Sequence, residues 1–346
     1  MAPPTPVNRF SPLRVAAVQA APTLFDTDAT ITKLEGLVRE AASEGAQVIA
    51  FGESFISGFP IWANVLAPVD QHDFQMQLVE SAIEVPGPEV SRLASIAREH
   101  QVGLSVGINE VSTVSVGTVW NANLIFGPDG TLLNHRRKLV ATWAERLVWS
   151  HGDGHDLEPV EIKGTRLGML LCGENTNPLA RYALIAQGEE VHIAAYPPAW
   201  PFDRSDSREE YDLTESIHLR SAAHSFEGKV FNIVASTALD DRAVDLVARG
   251  DESIVKMLRS KPTASMILGP SGQYLAGPLV GDEGILYADV NPRDRIVPKQ
   301  AHDVTGTYQR MDVFSFDVNK TRHVPLTTSN GHRSPGVVST EESNHE

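Results

Sequence analysis

The sequence predicts an α/β fold, an α-β-β-α sandwich of two mixed β-sheets flanked by helices. Three observations carry that prediction. Apolar, β-prone runs alternate with segments of helical period, which gives sheets covered by helices. Two blocks each read as strand, Gly-Pro-x-Gly turn and strand, and so as β-hairpins. No composition break along the 346 residues is long enough to be an interdomain linker.

Residues 13–19 are apolar and form the first strand. Over residues 26–44, Ile31, Leu34, Leu37, Val38 and Ala41 recur at helical spacing, with Asp26 or Thr27 as N-cap. Residues 47–51 read as a buried strand, 88–100 as a helix entered through Pro86, Gly87 and Pro88, and 102–111 as a strand. The hairpins are residues 121–137 and 264–277, two similar units rather than a true repeat. Between them, 160–162 pairs with 166–171, and 177–187 forms a helix that Gly188 ends. A strand over 191–196, a long helix over 209–227 and a strand over 229–235 follow. We expect a flexible segment over 1–12, one domain over 13–318 and a polar, disordered tail over 319–346.

A hydrophobic content of 42% is ample for a globular core. One cysteine excludes an intrachain disulfide and a multi-cysteine metal site. Residues 1–12 lack the apolar core of a signal peptide. No apolar stretch nears the ~20 residues of a membrane span. These features predict a soluble, cytoplasmic protein without a membrane partner, so the glycosylation-like triplet at Asn319 reads as chance. The net charge of -15 argues against a nucleic-acid partner. A neutral small substrate would feel little of that charge.

The apolar run Gly168, Met169, Leu170, Leu171 ends on Cys172, and Gly173, Glu174, Asn175 and a helix follow. Such strand ends are where open α/β folds keep ligands. A helix N-terminus there stabilises a thiolate. A free cysteine is equally a small buried hydrophobe, so position alone does not decide. Glu53 follows the buried run Val48 to Gly52; burial raises a carboxylate pKa and suits a general base, whereas a turn-capping glutamate is the ordinary alternative. Lys138 follows His135, Arg136 and Arg137. One of these basic residues turning inward fits strand alternation, and an inward lysine can donate to a developing anion. Arg136 and Arg137 are assigned to a solvated face. Glu145 is placed to pair with Lys138.

His151 and His155 flank Gly-Asp-Gly, which disfavours a helical metal-binding pair, and no phosphate-binding glycine loop occurs. A Gly-x-Ser-x-Gly match at Gly103 to Gly107 lies inside a strand rather than on a strand-to-helix turn. His192, His218 and His224 sit in periodic segments and read as structural. Trp62, Trp143, Asn175, Tyr196 and Trp200 are candidates to line a substrate pocket, with ordinary core packing as the alternative for each.

Taken together, these segments resemble the nitrilase superfamily from about Leu13 to Phe316. In that family a Glu, a Lys and a Cys occur in this order at strand ends, with a second Glu shortly after the Lys. Here they are Glu53, Lys138 and Cys172, with Glu145 as the second glutamate. The run Cys172-Gly173-Glu174-Asn175, followed by Pro178-Leu179, is similar to the nitrilase branch. Amidase and carbamoylase branches more often carry Tyr-Asp after the cysteine. Residues 142–153 are similar to aryl- and arylaceto-nitrile members. Gly52 departs from the proline common in the family, which is expected to loosen the Glu53 turn.

The resemblance implies hydrolysis of an organic nitrile to a carboxylic acid and ammonia, with some amide by-product. Cys172 would form a thioimidate and then a thioester. Glu53 would act as base, Lys138 would stabilise negative charge and Glu145 would hold Lys138. No cofactor or metal is implied. Dimers through the 177–187 and 209–227 helices, building larger or spiral homo-oligomers, are implied as well. The alternatives are an amidase or cyanide-hydrating enzyme on the same fold, and a non-catalytic scaffold member.

Overall fold

The computed structural model describes residues 10–201 and 211–325. Most of the N-terminal segment, the start of the helix expected from residue 209 and residues 326–346 of the tail lie outside that range. The strands, in chain order, are β1 Leu13–Gln19, β2 Val48–Ala50, β3 Gly103–Val111, β4 Val119–Phe126, β5 Leu132–Arg137, β6 Val160–Ile162, β7 Thr165–Leu171, β8 Val191–Tyr196, β9 Phe231–Ser236, β10 Ala264–Leu268, β11 Tyr274–Val280 and β12 Gly284–Val290.

They form two six-stranded sheets, ordered β12-β1-β2-β3-β4-β5 and β11-β10-β9-β8-β7-β6. β1, β2 and β3 run parallel, as do β7, β8 and β9, and the flanking pairs are antiparallel. Alternation along each strand sends one set of side chains between the sheets and the other outward. Val15, Ala17 and Val48 thus meet Leu167, Met169, Ile193 and Ile233 in the central layer. Ala16, Val18 and Ile49 face the other way, against Ile31, Leu34 and Val38 of helix Thr27–Ser43 and Leu93 and Ile96 of helix Pro88–His100. On the second sheet, Leu170 packs on helix Pro178–Ala186, and Ala194 and Val234 on helix Leu213–Gly228. The result is the α-β-β-α sandwich.

Local chemistry sets the boundaries. Asp26 caps the first helix by accepting from Ala29 N, and Asn177 caps Pro178–Ala186 by accepting from Leu179 N and Ala180 N. Both hairpins close through a glycine at positive φ: Gly130 N donates to Gly127 O at 2.9 Å and Gly272 N to Gly269 O at 2.9 Å. The Gly-x-Ser-x-Gly match lies within β3, where Ser105 Oγ donates to Asn123 Oδ1 at 3.0 Å. Among the described residues no helix is long and apolar enough to cross a membrane.

Gly52 does not loosen the turn after β2. A Cβ there would overlap the backbone of Ser236 and Thr237. Glycine lets the end of β2 close onto the end of β9, and Glu53 N donates to Tyr196 O at 3.2 Å. The edge carrying Glu53 is thereby fastened to the sheet that carries Cys172.

Candidate active site

Three strand ends and one turn converge. Glu53 follows β2, Lys138 directly follows β5, Cys172 directly follows β7, and Glu145 lies in the 3-10 turn Trp143–Leu147. Lys138 Nζ donates to Glu53 Oε1 at 2.7 Å and to Glu145 Oε2 at 2.7 Å. One oxygen of each carboxylate and Cys172 Sγ lie within 4.8 Å of one another. All four side chains are buried. Glu145 Oε2 also accepts from Thr142 N at 2.7 Å, so the turn holds the carboxylate that holds the lysine.

Burial pushes Glu53 up to about 7; Lys138 opposes the shift and the Glu145 charge adds to it. Asn121 Nδ2, at 2.6 Å, and Lys138 both donate to Glu53 Oε1. Oε2 has no partner among the described residues. One oxygen is therefore anchored and the other is free to take a proton. Burial works against the Lys138 charge, but Glu145, Glu53 and Cys172 together hold its pKa well above the ordinary lysine value. Burial first and Glu53 next push the Cys172 thiol up, and Lys138 only partly offsets them. At rest the thiol keeps its proton, so attack by sulfur needs a base.

Cys172 has φ +42°, a left-handed conformation that strains any residue but glycine. Glu174 braces that turn. Its carboxylate accepts from Leu171 N at 2.9 Å and Leu139 N at 2.7 Å, and from both Arg136 Nη atoms at 2.6 and 2.5 Å. Burial opposes ionisation of Glu174, yet Arg136 and the two backbone N–H groups hold it below the usual carboxylate range. One carboxylate thus joins the residue before Cys172 to the residue after Lys138.

Arg136 is therefore not on a solvated face. It is 1% exposed, because residues two apart on a strand share a face and Lys138 points inward. Arg137 turns to the opposite side and is still enclosed: it pairs with Glu110 through Nε at 2.9 Å and Nη2 at 2.5 Å, and stacks over the Trp120 ring at 3.5 Å. Asn121, Arg136 and Glu174 were not marked as site residues by sequence reasoning. A polar residue inside a buried strand was the only signal for Asn121.

The five pocket candidates separate. Tyr196 is fully buried in the apolar cluster that contains Cys172, and Trp200 packs against it. Trp143, 64% exposed, meets Trp200 edge-on with centroids 6.5 Å apart. Trp62 is stacked on Phe74 at 5.3 Å in a different cluster, its surface used in core packing. Asn175 is fully buried and its amide bonds to backbone carbonyls of the nucleophile turn.

A model of the carbon-nitrogen hydrolase family matches residues 14–296. An aliphatic nitrilase of Rhodococcus rhodochrous is 33% identical over 93% of this chain and 87% of its own length. An arylacetonitrilase of Hypocrea virens is 32% identical over 89% of this chain and 92% of its own. Among solved structures, a carbon-nitrogen hydrolase from Helicobacter pylori G27 shares the fold with a TM-score of 0.66 at 18% identity, covering 87% of this chain and 97% of that one. An amidase from Nesterenkonia sp. does so with a TM-score of 0.59 at 18% identity, over 84% and 95% of the two chains. The family model over residues 14–296, with relatives 32–33% identical along most of the chain, places the chain in the carbon-nitrogen hydrolase family, to which it belongs as an enzyme of the nitrilase superfamily.

Proposed function

We propose that this enzyme is a nitrilase that converts an organic nitrile to its carboxylic acid and ammonia, with Cys172 as nucleophile. The observation that carries the reading is a protonated lysine bridging two buried glutamates beside a buried thiol, with Glu53 Oε2 left open. Relatives named as nitrilases along most of the chain support it.

In the first step Sγ bonds to the nitrile carbon while its proton passes to Glu53. Charge develops on the nitrile nitrogen and is stabilised by Lys138 Nζ. Glu53 returns the proton to that nitrogen, giving a thioimidate. A water then adds to the carbon as Glu53 takes its proton and passes it to nitrogen; the hydroxyl proton follows by the same route as the C=O bond forms and the C–N bond breaks, so ammonia leaves with both water protons. A thioester remains. A second water releases the acid and restores the thiol, so one nitrile and two waters give one acid and one ammonia. If the C–S bond of the tetrahedral intermediate breaks before the C–N bond, the product is an amide. About 1.4 kcal/mol between those exits changes their ratio tenfold.

Residues 13–318 act in this reading as one catalytic domain, and the Trp143, Tyr196 and Trp200 rings line the apolar end of the substrate site. The enzyme assembles as a homodimer through the helices beside β7 and β8, whose outer faces expose Leu179 (63%), Leu219 (69%) and Phe226 (55%). A panel of aliphatic, aromatic and arylaceto-nitriles with acid, amide and ammonia quantified together tests the activity. Acid and ammonia in equal amounts, with amide minor, are expected. Amide without ammonia, or turnover of amides alone, would overturn the reading in favour of a hydratase or an amidase.

A further inference from the structure

Behind the nucleophile turn lies a buried polar chain that the chemistry above does not use. Asn175 Nδ2 donates to Cys172 O at 3.1 Å and to Leu170 O at 3.3 Å. Those bonds fix the amide's orientation, because exchanging its ends would set an oxygen against two carbonyl oxygens. Asn175 Oδ1 is then the atom that meets His192 Nε2 at 2.9 Å, so Nε2 carries a hydrogen. On the far side of the ring, His192 Nδ1 lies 2.6 Å from Glu189 Oε1. The other oxygen of Glu189 meets His224 Nε2 at 2.7 Å. The two imidazoles stack with centroids 3.9 Å apart, and none of these four side chains is more than 1% exposed. Room for the carboxylate exists because Gly168 on β7 has no side chain; a Cβ there would overlap it.

The hydrogen bonds fix the proton count. An amide oxygen and a carboxylate only accept, so His192 donates on both sides. His224 donates through Nε2. Its Nδ1 is buried without a partner among the described residues, and an N–H there would be left unsatisfied, so that atom carries no proton. Burial opposes the Glu189 charge, but His192 and His224 hold the carboxylate down at about 2. Burial first, then His224 and Arg136, oppose a charge on His192, and the Glu189 carboxylate favours it. Loss of either ring proton would set two lone pairs against each other at 2.6 or 2.9 Å, and the two hydrogen bonds hold the protons against that push. The group is thus one carboxylate, one imidazolium and one neutral imidazole, with no net charge.

We propose that His192 is a positioning residue for Cys172: a doubly donating imidazole, clamped by Glu189, that locks Asn175 and through it the strained turn bearing the thiol. A left-handed cysteine persists only where its surroundings over-determine it. Glu174 holds the N–H side of the turn and Asn175 holds the carbonyl side. His192 stands beside Gly168 in the β7–β8 register, so the brace comes from the neighbouring strand rather than from solvent. The proposal rests on Cys172 being the nucleophile.

The test compares His192→Phe, which keeps a ring without hydrogen bonds, with His192→Gln, which can restore a donor to Asn175. Readouts are kcat and KM on a nitrile, and the rate at which iodoacetamide alkylates Cys172, which needs no nitrile and separates failure of this proposal from failure of the substrate assignment. The phenylalanine variant is expected to lose about 100-fold in kcat, as a misplaced nucleophile does, with KM little changed and alkylation slowed in parallel. The glutamine variant is expected to recover most of both. A folded phenylalanine variant with wild-type kcat and alkylation overturns the proposal. Should it fail to fold, ¹⁵N-histidine spectra of the wild type decide. Both His192 nitrogens protonated from pH 6 to 9 supports the proposal, whereas a bare, titrating nitrogen overturns it. One equivalent of tightly held metal on Glu189, His192 and His224, found by elemental analysis, would overturn it too.

Discussion

Glu53 is the residue at which environment decides chemistry. Held at about 7 by burial, it is ionised enough to take the thiol proton and basic enough to do so at neutral pH. The rate on a nitrile should therefore fall as pH drops through about 7, and a flat kcat/KM profile from pH 5.5 to 8 would contradict that role. Its folded-state pKa lies above that of the unfolded chain. The stability linked to Glu53 is thus full below about 4.5 and lost as pH rises through about 7. Glu53→Gln should lose activity by about 10²–10⁴-fold while melting higher than wild type at pH 8 and not at pH 4. Thermal melts at the two pH values check the sign. At this scale the sequence was legible where a polar residue directly follows an apolar run, as at Cys172 and Glu53. It was less legible at Lys138, one of four consecutive basic residues. Arg136 was misassigned because its partner, Glu174, lies 38 residues along on another strand's turn, and a side chain without a visible partner reads as solvated.

The elements around the site act as braces. The Arg136–Glu174 pair ties the end of β5 to the turn after β7, and both side chains are buried. Removing one partner of a buried pair leaves an uncompensated charge, so Arg136→Leu should destabilise the protein by about 3–5 kcal/mol in urea denaturation. A loss below about 1 kcal/mol would place the pair among exposed ion pairs instead. Gly52→Ala should likewise fail to fold or lose activity, because the added methyl meets the Ser236–Thr237 backbone. Hairpins and the helices flanking the first sheet were legible because turn glycines and 3.6-residue periodicity are local signals. β12 was not identified as a strand. It is an edge strand with four residues only partly buried, and its pairing with β1 joins segments far apart in the chain. Helices Asp241–Ala248 and Glu252–Ser260 also went unmarked, being short and largely charged on their outer faces.

At the scale of the whole molecule, two sheets ordered as mirror sequences bring strand ends from both halves to one edge, and the chemistry depends on that closure. The outer faces of helices Pro178–Ala186 and Leu213–Gly228 expose Leu179, Leu219 and Phe226, which suits a second copy. Leu219→Asp combined with Phe226→Asp should shift the protein to monomer in analytical ultracentrifugation, and an unchanged mass would show that assembly uses another face. Covalent capture of the substrate is readable on the intact protein, because the 346-residue chain has a single cysteine. Intact-mass analysis during turnover of a slow nitrile is predicted to show one acyl or imidoyl adduct, mapped to Cys172 and absent from Cys172→Ala, which releases no ammonia. An adduct on another residue, or ammonia released by folded Cys172→Ala, would contradict the account.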